Sequence, residues 1–183
     1  MPQGAEGAGA SVRRSFPALF HVVLVEPEIP NNTGNIGRTC VATGCALHLV
    51  HPLGFDVSEK ACRRAGLDYW PRLDVTHHSS WSSYEAARPP SGPGTWLLTT
   101  RTGRTIYDAE LRPGDSFLFG RETRGLDERL LAAHPARCLT LPMAPQERSL
   151  NLATAVCAVV YEGLRQCIAR GDVRVNAGRL VLG

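Results

Sequence analysis

The sequence predicts an α/β domain on a mostly parallel sheet with helices on both faces, and three observations carry that expectation. Short β-rich runs recur: "FHVVLV" at 20–25, "ALHLVH" at 46–51, "TWLLTT" at 95–100, "SFLFG" at 116–120 and "RCLTLPM" at 137–143. Several are almost continuously apolar, as strands covered on both faces are. Helical patterns separate them, and alternation of strand and helix is what builds a parallel sheet.

Taken in order, the first run is followed at once by "EPEIPNNTGNIGRTC", Glu26 to Cys40, which holds two prolines, three asparagines and two glycines. An ordinary connection needs about 4–6 residues. The segment reads as a loop built to hold something, with a helix over Ile36–Thr43 that Asn32 or Thr33 could start. Further helices are expected at Glu59–Ala65, Ser82–Arg88 and Leu126–His134, and "RPPSGPG" at 88–94 is a turn-rich connector within the domain. His77 and His78 would point to opposite faces on a strand and read as structural. The last segment, "NLATAVCAVVYEGLRQCIAR", is the clearest helix. Leu152, Ala155, Val156, Val159, Val160, Leu164, Cys167 and Ile168 follow the spacing that buries one face. Residues 1–18 read as a flexible leader, 19–170 as one domain and 171–183 as a tail.

Composition narrows the function classes. A hydrophobic content of 43% and a charged content of 20% suit a globular protein, and no uninterrupted apolar run reaches membrane-spanning length. The net charge of +3 rests on nineteen arginines and one lysine, Lys60. Arginine pairs bidentately with phosphate, so this permits a nucleic-acid partner without demanding one. The six cysteines form no C-x-x-C pair, which argues against a zinc site and for a reducing cytoplasm.

Ligands of such sheets gather at the carboxyl ends of the strands, and three loops there are unusual. In "SFLFGRETRGLDERLL", Gly120 allows close backbone approach, Gly125 a positive-φ turn and Arg124 a reach toward phosphate. Glu122 could accept hydrogen bonds from amides or a ligand. In "LPMAPQERSLNLATAV", Ser149 is a plausible cap for the last helix, and Asn151 offers both donors and an acceptor. In the opening loop, "GNIG" lacks the third glycine of a dinucleotide fingerprint. Arg38 there could grip a phosphate or carboxylate, or be a solvated helix residue.

Together "EPEIPNNTGNIGRTCVATG", "RRAGLDYW", "FGRETRGL" and "LPMAPQERSLNLATAVCAVVYEGLRQ" resemble the SPOUT superfamily of RNA methyltransferases. Most of all they resemble the TrmL, or YibK-like, group that methylates the ribose 2′-oxygen of the wobble cytidine or uridine of tRNA. The resemblance runs from about residue 20 to 167. It implies a C-terminal deep trefoil knot, a cytoplasmic homodimer and S-adenosylmethionine as cofactor with no metal. The implied cofactor pocket uses Leu98, Gly120, Leu141 and Ser149, with Glu122, Gly125 and Leu150 in the same motif loops. Arg38 is implied at the methyl-transfer site and Tyr161 near substrate, with Asn151 beside them.

Arg63, Arg64, Arg72 and Arg124 offer charge to an anticodon stem-loop. Tyr69 and Trp70 offer either a stacking surface for an unpaired base or a dimer seam. The chain departs from the family pattern at Arg121, where proline is common, at Gly37 in "NIGR", and at "NLAT" in place of "NLSN". Two other readings stay open on these residues: a non-catalytic RNA-binding protein of the same fold, or a small-molecule nucleotide-binding enzyme. A 2′-O-methyltransferase acting on another RNA position is a further alternative.

Overall fold

The computed structural model describes residues 17–64, 66–92 and 94–181, with only the backbone of residues 59, 60 and 63. The expected leader falls almost wholly outside these residues, as does the Arg63 side chain. Strands β1 (His21–Val25), β2 (Ala46–Val50), β3 (Val75–His78), β4 (Thr95–Leu98), β5 (Ser116–Phe119) and β6 (Cys138–Leu139) form one sheet in the order β3-β2-β1-β5-β4-β6. Every pairing in it is parallel, so the sheet is fully rather than mostly parallel. β3 includes both His77 and His78; the first is exposed and the second buried, as strand alternation requires.

The alternation sorts the core into two layers. Val22, Leu24, Leu47, Leu49, Phe117 and Phe119 face helices α1 (Pro30–Thr43) and α5 (Leu152–Arg170). Val23, Val50, Leu97 and Leu118 face the side of α3 (Trp81–Ala87) and α4 (Glu128–Ala133), where Tyr84 is fully buried. The short α2 (Glu59–Arg64) leads into a 3₁₀ turn at Trp70–Arg72 that packs beside α1. α5 has 19 residues, length and apolarity enough to cross a membrane, yet its buried face carries Val156, Val159, Val160, Leu164 and Cys167 into the protein core. Gly163 lets it approach closely, since a Cβ there would lie 2.8 Å from the Phe20 ring.

Two expectations need correction, and the tail carries structure of its own. α1 begins at Pro30, not near Ile36, because Pro at the first helical position suits its fixed φ and missing N–H. The cap of α5 is Asn151, whose Oδ1 accepts from the amides of Ala153 at 2.9 Å and Thr154 at 3.2 Å, and not Ser149. The expected tail contains an antiparallel hairpin, β7 (Arg174–Asn176) and β8 (Arg179–Val181), turned by Ala177 and Gly178 at φ of 47° and 73°.

Candidate active site

The three polar loops meet at the carboxyl ends of β1, β5 and β6. α1 has no side-chain cap of its own and no acid in its first turn. The carboxylate of Glu122, more than ninety residues away, stands in for one. It accepts from the backbone N–H of Glu28 at 2.9 Å and of Ile29 at 3.3 Å, and from Asn32 Nδ2 at 3.0 Å. An anion at that end also meets the positive pole of the helix. The contact is reciprocal, because the Glu28 carboxylate accepts from Thr123 N at 3.0 Å and Thr123 Oγ1 at 2.9 Å. Beside it Arg121 ion-pairs with Glu26, the residue that leaves β1 at φ 52°.

Asn32, only 5% exposed, links this clasp to the third loop. Its Oδ1 accepts from Asn151 Nδ2 at 2.9 Å, across 119 residues of chain. Both amide orientations are fixed by what lies at the ends. A carboxylate accepts only, so Asn32 must turn its NH₂ to Glu122 and its oxygen to Asn151. The α5 amides donate only, so Asn151 must turn its oxygen to them and its NH₂ to Asn32. The relay Glu122–Asn32–Asn151 thus has one direction and no group left over.

This framework walls a cavity of about 720 Å³, lined among others by Ile29, Asn32, Leu98, Phe119, Gly120, Glu122, Arg124, Gly125, Ser149, Leu150 and Asn151. A smaller one of about 110 Å³ joins Leu98, Ser149 and Leu150 to Leu141 and Met143. Small-molecule sites commonly fall between about 300 and 1,000 Å³. Gly120 is obligatory. A Cβ on it would lie 2.0 Å from the carbonyl carbon of Gly125, where the backbone folds back through the Gly125 N–H to the Arg121 carbonyl at 2.8 Å. Apolar walls from Leu98, Phe119, Leu141 and Leu150 beside bare backbone suit a flat heteroaromatic ring with polar edges.

The cavity thus gathers Leu98, Gly120, Glu122, Arg124, Gly125, Ser149, Leu150 and Asn151, and its smaller neighbour brings in Leu141. It does not line with Arg38 or Tyr161. Tyr161, 52% exposed, borders a separate cavity of about 860 Å³ with Val41, Arg72, Leu164, Ile168 and Leu180. Arg38 is exposed on α1, its guanidinium 4.5 Å from the centre of the Tyr69 ring. Arg64 and Arg72 are exposed.

Tyr69 and Trp70 correct the expectation of a stacking surface or a seam. They are 2% and 6% exposed within the single chain, so neither offers a free face to a base. Burial pushes the Tyr69 hydroxyl up from its ordinary pKa, with the Arg38 charge opposing. Gly37 is explained by the same packing, because a Cβ would lie 3.0 Å from the Trp70 ring. Its cost in helix propensity is about 1 kcal/mol, and in return α1 seats directly on the indole.

Asn32 is the site residue that sequence reasoning undervalued, as a possible helix start only. The available signal was its position among so many polar residues directly after a buried strand.

Residues 19–161 match the model of the SpoU rRNA methylase family. A protein of Acidovorax sp. named tRNA (cytidine(34)-2′-O)-methyltransferase is 48% identical over 81% of this chain and 92% of its own length. A Polaromonas sp. protein of the same name is 47% identical over 81% and 91%. Among solved structures, one described as concerning the 2-OH methylation of C/U34 on tRNA superposes with a TM-score of 0.76. It is 44% identical and covers 84% of this chain and 99% of that one. AviRb of Streptomyces viridochromogenes, in complex with the cofactor AdoMet, superposes at 0.71 with 25% identity, over 87% and 61%.

Proposed function

The chain belongs to the SpoU rRNA methylase family, and on that footing we propose that it transfers a methyl group from S-adenosylmethionine to the ribose 2′-oxygen of a tRNA nucleotide, the wobble cytidine or uridine of the anticodon. The observation that carries the reading is the Glu122–Asn32–Asn151 relay, which ties three distant loops into one cavity wall. The relatives named for methylation at cytidine 34 are similar over about four fifths of the chain.

S-adenosylmethionine would lie between Leu98, Gly120, Leu141, Ser149 and Leu150, with Glu122 and Gly125 holding the loop that pinches it. When bound it supplies an electrophilic sulfonium methyl with its leaving group attached, so the reading calls for no metal. The protein's share is positioning and the management of one proton. A guanidinium stays protonated near neutral pH and is no base. Arg38 therefore clamps the RNA phosphate or polarises the ribose hydroxyl, and a phosphate oxygen or water takes the proton. Arg64, Arg72 and Arg124 supply charge to the RNA backbone, with Arg63 beside them in sequence.

Arg38 and Tyr161 stand outside the cavity of their own chain, which supports a homodimer in which two copies complete each site. The exposed apolar side chains of Tyr161 and Ile168 support the same reading. A deep trefoil knot through the C-terminal part, a single domain over 19–170 and a cytoplasmic setting complete it.

The test is mass mapping of ribose methylation in tRNA incubated with the full chain and S-adenosylmethionine. Methyl groups at the wobble ribose support the proposal; methylation elsewhere, or none, contradicts it. Arg38→Lys, which keeps charge but loses the bidentate fork, is expected to lower turnover by about tenfold or more.

A further inference from the structure

Tyr69 is buried in the chain, yet it makes two contacts that converge on one exposed residue. Its ring face carries the Arg38 guanidinium at 4.5 Å from the centroid. Its hydroxyl donates to the Gly34 carbonyl at 2.5 Å. In an α-helix that carbonyl is the partner of the amide four residues on, which is the Arg38 N–H. One side chain therefore holds both the backbone turn beneath Arg38 and the charged end of its side chain.

The platform is itself packed against α1. The 3₁₀ turn of Trp70–Arg72 follows Tyr69 directly, the Trp70 ring sits against Gly37, and Leu67 lies against Gly34. Glycine at both helix positions brings α1 close enough for the tyrosine to reach the backbone. An arginine with a long, free side chain loses much rotamer entropy when it grips a ligand. One already laid on an aromatic face has lost part of that freedom beforehand.

We propose that Tyr69 is the positioning residue for Arg38, presetting the guanidinium for the ribose or phosphate of the RNA while never touching the RNA itself. This rests on the reading that Arg38 acts in methyl transfer. It replaces an RNA-stacking role for this tyrosine, whose face is already occupied.

The test keeps shape constant and drains the ring of π-electron density. With Tyr69→Phe as reference, phenylalanine carrying one, two and three ring fluorines is placed at position 69 of the full chain. Methyl transfer to unfractionated tRNA is then measured beside calorimetric binding of S-adenosylmethionine and thermal unfolding. The expected result is a stepwise fall in kcat, about two- to fivefold across the series, with cofactor affinity and Tm unchanged. A flat kcat while Arg38→Ala is inactive overturns the positioning role and leaves the enzymatic reading intact. Active Arg38→Ala overturns the role assigned to Arg38, and this proposal with it. A fall in kcat that tracks a fall in Tm assigns Tyr69 to stability alone.

Discussion

Two directional hydrogen-bonded relays cross this sheet, one at the rim of the cavity and one beneath α3. The rim relay runs from Glu122 through Asn32 to Asn151. The other runs from Arg88 to His21, His48 and His78, each step at 3.0 Å. Arginine only donates, so His21 must accept on Nε2 and carry its proton on Nδ1. The same constraint then passes to His48 and on to His78. Both relays are thus oriented by the group at one end, a carboxylate that accepts in one and a guanidinium that donates in the other. They differ in what transmits the order: amides, which do not titrate, or imidazoles, which do. The difference teaches that the links inside the rim carry no titrating group of their own, while the histidine relay makes the fold itself acid-sensitive.

The largest expected effect comes from breaking the rim at its narrowest point. Gly120→Ala places a Cβ into the Gly125 backbone, and no rotamer relieves that contact. It should abolish calorimetric binding of S-adenosylmethionine and lower stability by about 3 kcal/mol or more. Retained binding would show that the pinch is not part of the pocket.

Acid should sharpen the contrast next. Burial, and then the Arg88 charge, lower the His21 pKa to about 4; burial, then His21, Arg88 and His78, lower that of His48 to about 3. Unfolded, both titrate near 6.5. The unfolded chain therefore binds more protons below that pH, and stability must fall as pH drops from about 6.5 toward 4 and 3. Denaturant unfolding at pH 7 and pH 4 should differ by several kcal/mol. A chain equally stable at both would mean that the imidazoles are not held neutral.

Asn32→Ala should have a smaller effect on stability. It leaves Glu122 and Asn151 each short of a partner, at a cost of about 1–3 kcal/mol by urea unfolding. Asn32→Asp should cost more, because it sets a second carboxylate against that of Glu122 and removes the donor between them. The smallest effect belongs to an exposed ion pair with neither kind of order. Glu110 and Arg112, both 61% exposed, lie 2.5 Å apart, and Glu110→Gln should change stability by less than about 1 kcal/mol.

How much of this was legible in the sequence follows from the range of the forces involved. The apolar runs marked β1, β2, β4, β5 and β6 because burial on two faces leaves a local pattern. The start of α1 was misplaced although Pro30 marks it locally, because the anion that stabilises that end, Glu122, is supplied from another loop. The cap of α5 went to Ser149 when Asn151 performs it; both residue types cap well, and the helix start at Leu152 is what puts Asn151 at the capping position. Val75–His78 is too short and too rich in histidine to read as a strand until its relay partners are known. Tyr69 reads equally as an RNA-stacking residue or part of a dimer seam because charge surrounds it in sequence, whereas α1 covers it in space. Of the site, the glycines and the three loops were legible. The Asn32 link, which needs three distant segments at once, was not.

The measurement that bears most directly on the central claim is calorimetric titration of S-adenosylmethionine into the full chain and into Asn32→Ala. If one buried amide holds the three loops as a cofactor wall, the full chain binds and the variant binds at least about tenfold more weakly, a loss of about 1.4 kcal/mol. Equal affinity in the two proteins, or no binding to either, would contradict it.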